Sequence, residues 1–331
     1  GLVADDDSRV EEDIFAGFFE YSREVGRFSL HAGLRYEHTR SDYFKDGLRQ
    51  AEQCRRYNDW FPSAGITTEV GQTSLQLLYS SEIVRPSYFN LSSATWYMNR
   101  YTYMSGNPLL RPTYTNSLSL TAARQWITAT VGYKRIKDEE AMMTRPFSVE
   151  KPQVSLQTSE NIAPYNQGYA TLILQPRIGL WSPTWELSAF IQDYEAETPD
   201  GRQRLDNPYA TIDWQNVLEL GKGWRVAADL HYMSRGNMSN GELLRHSLHA
   251  DLGLLKTLLR DRLELRLDAR DLFRSRRDHL LTYSGLRTTI LREDAHRNVT
   301  VTVKYKFNAT KSKYKGEGVG ESQKSRMKGG R

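Results

Sequence analysis

The chain has 331 residues, 39% of them apolar and 26% charged, which is outside the range of disordered chains. A mean hydropathy of −0.64 and the lack of any run of about 18 apolar residues exclude a transmembrane helix, but not membrane strands, in which every second residue faces a polar lumen. A single cysteine, Cys54, excludes a disulfide framework and a cysteine-based zinc site, and the net charge of +5 sits in residues 308–331, where seven Lys and Arg face two Glu, so no basic groove for nucleic acid is indicated.

The chain begins at Gly1 without Met or a leader, which reads as a mature segment or a piece of a longer protein. Asp5-Asp6-Asp7 reads as a solvated acidic stretch rather than a calcium site. Period-two alternation dominates the rest of the chain. Phe28, Leu30, Ala32, Leu34 and Tyr36 alternate with Ser29, His31, Gly33, Arg35 and Glu37. Weaker alternation recurs near 72–80, 117–123, 127–135, 168–175, 184–192, 208–218 and 246–254. Trp224, Val226, Ala228, Leu230 and Tyr232 alternate with Arg225, Asp229 and His231. Leu263, Leu265, Leu267 and Ala269 alternate with Glu264, Arg266, Asp268 and Arg270; the leucine-rich stretch Leu254 to Leu267 reads as a hairpin, not a helix. Val299, Val301, Val303, Tyr305 and Phe307 close the pattern against Thr300, Thr302, Lys304 and Lys306.

Short and long connections take turns along the chain. Short turns are expected at Val25-Gly26-Arg27, Glu69-Val70-Gly71, Gln125-Trp126, Gly179 to Pro183, Gly221-Lys222-Gly223 and Leu259 to Asp261. Long polar or aromatic segments fall at 41–56, 85–114, 195–207, 234–242 and 274–296. Outer-membrane barrels place short turns on the periplasmic side and long loops outside. The reading is therefore all-β, an antiparallel transmembrane β-barrel of about fifteen strands, counting two short ones in 138–165. An odd count that ends in the periplasm starts outside, whereas complete bacterial barrels have even counts, so parity also reads as a partial barrel. Tyr305 and Phe307 are expected in the inner aromatic girdle. Residues 308–331 form an expected disordered, basic periplasmic tail behind a barrel portion at 1–307.

Few residues point to catalysis or metal. His246 and His249 fall on opposite faces of a strand, and His31 and His231 on lumen positions. Asp268 and Asp271 read as ion-paired across the lumen beside Arg266 and Arg270. No Ser/His/Asp set, paired carboxylates or GxSxG, HExxH or P-loop spacing emerges, so no enzyme, metal site or cofactor is expected. Arg274, Arg276 and Arg277 form a basic group at an outer strand end, suited to lipopolysaccharide phosphates or to plain solvation. The segment 85–112 is rich in Tyr, Asn, Pro and Trp. Its rings at Trp96, Tyr97, Tyr101 and Tyr103 offer stacking surface for a ligand, while Pro86, Pro108 and Pro112 stiffen it. The alternative is a loop that packs on itself as a rigid cap.

The run Ile83-Val84-Arg85-Pro86-Ser87-Tyr88-Phe89-Asn90-Leu91 is followed by Tyr101-Thr102-Tyr103-Met104-Ser105-Gly106-Asn107-Pro108-Leu109-Leu110-Arg111-Pro112 and by Tyr114-Thr115-Asn116-Ser117-Leu118. Together with Asn58-Asp59-Trp60-Phe61-Pro62-Ser63, Asp268-Ala269-Arg270-Asp271-Leu272-Phe273 and the ending Val303 to Asn308, it resembles the outer-membrane β-barrel family of TonB-dependent receptors of the Bacteroidetes type. Arg85, Pro86, Asn107, Pro108 and Pro112 carry the specific part of the likeness. It implies a 22-stranded barrel with a plugged lumen, of which this chain is the C-terminal part with about 14–16 strands. It also implies uptake of a siderophore, glycan, cobalamin or peptide. The partners it implies are outer-membrane lipid and lipopolysaccharide, the barrel assembly machinery and the TonB complex reached through an N-terminal plug. A surface lipoprotein is a further option. The competing reading is a TonB-independent porin or surface-binding barrel.

Overall fold

The computed structural model describes residues 7–198, 201–275, 277–284, 287–293 and 297–307. Asp5, Asp6, Arg276 and the tail 308–331 lie outside them. Thirteen long strands follow one another in one sheet, each paired with its neighbour in sequence. They are β1 (Ser8–Val25), β2 (Phe28–Lys45), β3 (Arg55–Val70), β4 (Thr73–Val84), β5 (Thr113–Arg124), β6 (Ile127–Lys137), β7 (Tyr165–Leu174), β8 (Trp181–Gln192), β9 (Tyr209–Gly221), β10 (Trp224–Met233), β11 (Ser247–Leu258), β12 (Leu263–Arg270) and β13 (Asn298–Tyr305). Every pairing along this order is antiparallel. A two-residue strand, Leu48–Arg49, pairs with the far end of β2 and makes the sheet fourteen-stranded.

The two short strands expected in 138–165 exist as Glu140–Pro146 and Ser155–Asn161, but they leave the wall. At seven residues each they are shorter than the ~10 a tilted membrane strand needs. They join Thr95–Asn99 and Thr102–Ser105 in a separate four-stranded sheet. The wall count stays odd, so β1 and β13 run the same way. Among the described residues these two strands are not paired with each other, so the sheet is not closed.

All the expected short turns lie at one end. Two-residue turns join β1–β2, β3–β4 and β5–β6, with Gly26, Gly71 and Gln125 at φ of 60°, 64° and 52°. Gly carries this left-handed backbone without a Cβ clash. The turn expected at Gly179 to Pro183 ends earlier, since β8 starts at Trp181 and includes Pro183.

The pleat sorts side chains onto two faces. One row runs Leu30, Ile66, Leu77, Leu120, Val131, Ala170, Ala189 and Ala210 through successive cross-strand partners. The next row, on the opposite face, runs Gly33, Ser63, Ser80, Ser117, Lys134, Gln167 and Gln192. Val131, Val299, Val301 and Val303 are more than half exposed, as side chains on a lipid-facing surface are. At the short-turn end that face carries Phe28, Trp181, Trp224 and Tyr305, and the Tyr305 and Phe307 rings meet edge to face at 4.7 Å. These positions form the aromatic girdle expected there. Because lipid solvates the apolar face, the buried apolar cluster lies elsewhere. Ile136, Ala141, Ile162, Tyr165, Tyr194, Ala196, Leu205 and Tyr283 gather where the long loops meet.

Candidate functional site

The long connections build one interlocked cap. The segment after β4 turns onto the wall at Arg85, whose Nη2 donates to Glu37 Oε2 at 2.6 Å and to Thr39 Oγ1 at 2.9 Å. Pro86, Pro108 and Pro112 surround a void of only 20 Å³ together with Tyr43, Tyr57 and Leu110. Gly106 allows a close backbone crossing: a Cβ there would lie 2.3 Å from Ser92 O and 2.9 Å from Asn90 O. Next to it, Asn107 N donates to Asn90 O at 2.6 Å and Asn107 Nδ2 to Ser159 O at 3.0 Å. The signature residues thus fix the path of this loop and tie it to Ser155–Asn161. The pairing of Ser155–Thr158 with Thr102–Ser105 is parallel, possible because the partners come from different loops.

The four aromatic candidates do not all point the same way. Trp96 is half-buried and stacks on Phe89 at 4.6 Å. Tyr97 meets Tyr103 edge to face at 5.8 Å, and Tyr103 stacks on Phe147 at 4.6 Å. Tyr97 and Tyr101 are exposed, with the Arg100 guanidinium 5.1 Å from the Tyr101 ring. Tyr97, Tyr103 and Phe147 form a partly open strip, while Trp96 and Tyr101 make separate contacts with Phe89 and Arg100.

Further loops lock against these. Glu139 Oε2 accepts from Tyr165 Oη at 2.6 Å and from Ser239 Oγ at 2.8 Å. Gln192 Oε1 accepts from Ser239 N at 2.8 Å. Thr144 N donates to Ser284 Oγ, and Ser284 Oγ donates to Thr144 O, each at 3.1 Å. Burial beside Tyr165, with Glu139 and Glu197 nearby, pushes the Tyr194 phenol up to about 12. Between these loops lies a cavity of about 1200 Å³ that sequence reasoning missed. Its charged lining is Arg145, Glu160, Asp193, Glu195, Glu197 and Arg202. Arg145 pairs with Glu160 at 2.5 Å and Arg202 approaches Glu195 at 3.9 Å, which leaves an acidic surplus. Desolvation pushes the Asp193 carboxyl up, but hydrogen bonds from Asn166 side chain and backbone outweigh it and keep it ionised below the usual range. These residues come from separate loops and share no local motif; only the charge density of the long connections hinted at them.

The carboxylates and histidines of the wall fall into structural roles. Asp268 pairs with Arg266, two residues along the same strand, at 2.7 Å, rather than across the lumen as expected. Asp271 is buried and accepts Ser275 N at 2.9 Å. His231 and His249 face each other across β10 and β11 with ring centroids 4.8 Å apart, and Asp213 Oδ1 lies 2.5 Å from His231 Nδ1. Spacing along the chain brings only His246 into comparison with His249, and His246 lies beside Tyr232 instead. Among the described residues, no group of three or more His, Cys, Asp or Glu side chains is arranged to hold a metal, and no helix is long and apolar enough to cross a membrane.

Comparison with known proteins agrees with this architecture. The outer membrane protein beta-barrel family matches residues 4–305. No curated protein sequence matches. Among solved structures, the ferric-catecholate import receptor Fiu from E. coli K12 superposes with a TM-score of 0.61 at 14% identity, covering 91% of this chain and 45% of Fiu. The siderophore receptor PiuA from Acinetobacter baumannii gives 0.59 at 12% identity over 91% of this chain and 44% of PiuA. The copper transporter OprC gives 0.56 at 14% identity over 90% and 48%. The chain therefore spans less than half the length of these structures.

Proposed function

Since this chain belongs to the outer membrane protein beta-barrel family, we propose that it forms part of the wall and outer cap of an outer-membrane receptor that takes up a scarce ligand. The observation that carries this reading is the cap itself. Loops from distant wall strands are bonded to one another around a large cavity, an arrangement suited to holding a solute at the barrel mouth. A freely conducting pore has no use for such closure. Transport, not catalysis, is the role. The ligand meets the aromatic surface of Trp96, Tyr97, Tyr101 and Tyr103, or enters the cavity between the loops. The acidic surplus there favours neutral, hydroxyl-rich or cationic solutes over polyanions.

Releasing ligand inward through a plugged barrel requires energy from the inner membrane, and TonB coupled through a plug supplies it. The test is accumulation of labelled candidate solutes (ferric siderophores, oligosaccharides, cobalamin, peptides) by cells with and without the gene. The comparison is repeated after the proton gradient is collapsed. Gene-dependent uptake that stops on collapse supports the reading. Gene-dependent uptake that continues would make the protein a TonB-independent channel.

A further inference from the structure

A second cavity lies at the outer side of the wall. Beyond β10 the chain forms a hairpin, Gly236–Met238 with Gly241–Leu243, and returns through Leu244, Arg245 and His246 into β11. The segment after β12 passes alongside, with Leu272 N donating to Ala250 O at 2.9 Å and Ser275 Oγ donating to Leu248 O. Arg235, Arg245, His246, Arg274, Ser275 and His279 thereby line a cavity of about 750 Å³. Among the described residues its lining contains no carboxylate, and none of its three arginines has an ion-pair partner.

Its level in the membrane is set by strand register. His246 continues the face carried along β11 by Leu248, Leu252 and Leu254, all exposed to lipid. Its ring lies 6.4 Å from that of Tyr232, the cross-strand partner of Leu248. The cavity therefore sits directly above the apolar band at the long-loop end, where outer-leaflet headgroups lie. Guanidinium groups bind phosphate through paired N–H donors, and the imidazoles of His246 and His279 add further donors. Grouped without an acid, such cations repel one another until a polyanion joins them.

We propose that this cavity holds the phosphate group of an outer-leaflet membrane lipid. The protein, purified with its full sequence from outer membranes in mild detergent, is titrated with micelles containing a bis-phosphorylated glycolipid, with the same glycolipid after dephosphorylation, and with inorganic phosphate. The phosphorylated glycolipid should bind and the dephosphorylated one should not. R235Q/R245Q/R274Q should weaken binding roughly 100-fold, given about a fivefold factor for each arginine near an anionic surface. R245Q alone gives an intermediate loss and keeps the test open should the triple variant misfold. R124Q/R177Q, at the short-turn end, should leave binding unchanged. Equal affinity of wild type and R245Q, or indifference to dephosphorylation, overturns the proposal. Binding of inorganic phosphate without any binding of the glycolipid would overturn the lipid assignment.

Discussion

Arg85 Nη2 lies 2.6 Å from Glu37 Oε2, and only about a tenth of each side chain is exposed. The pair fastens the first residue of the signature loop to the polar face of β2, so it decides where the whole outer cap starts. Neutralising Glu37 leaves the buried Arg85 guanidinium without its carboxylate, which costs about 3–5 kcal/mol, whereas loss of Arg85 costs less because Glu37 keeps Arg35 at 3.1 Å. Glu37→Gln and Arg85→Ala should each loosen the 85–112 segment, seen as faster proteolysis within it while the wall keeps its resistance. The double variant should cost less than the sum of the two.

Gly106→Ala tests the crossing of the same loop over Ser92. The new methyl group meets a carbonyl oxygen at 2.3 Å, so backbone must shift. Overpacking of this kind costs about 1–3 kcal/mol. The expected result is a lower unfolding temperature of the cap. Gly17→Ala, whose Cβ meets nothing within 4 Å, should be close to neutral.

The two faces of the wall should respond oppositely to charge. Leu120→Arg places a guanidinium on the lipid face and costs roughly 2–4 kcal/mol near the midplane. Gln76→Arg, on the opposite face, should be tolerated. Folding into lipid vesicles, with the shift in gel mobility on heating as the readout, separates them. Equal damage by both would contradict the assignment of faces.

The cap should weaken in alkali. The Tyr194 phenol is raised from 10.0 to about 12, chiefly by burial. A folded pKa above the unfolded one means full stability below about pH 10, lost as pH rises through about 12. Cap proteolysis should accelerate over that window, and Tyr194→Phe should lessen the change. A wild-type profile that is level to pH 12 would show that this side chain is not shielded.

Much of the wall was legible because alternation is a property of a single strand: Leu30, Ala32 and Leu34 share a face whatever lies beside them. Turn positions were legible for a similar reason, since Gly26 and Gly71 act within two residues. The signature run 83–112 marked its own loop, and its prolines and Gly106 do fix the loop's path. The sequence could show that 140–146 and 155–161 are extended, but not that they leave the wall, because 140–146 pairs with 155–161 and the latter pairs with Thr102–Ser105, some fifty residues away in another loop. The facing of His231 and His249 across two strands was hidden for the same reason, as was the cavity of Arg145, Asp193, Glu195 and Arg202. The periodic, local part was therefore readable from single segments: an outer-membrane wall with one lipid face and all its long loops at one end. Which loops meet emerges only when the strands are assembled, because it depends on the register of strands far apart in the chain, and single-strand patterns carry no record of it.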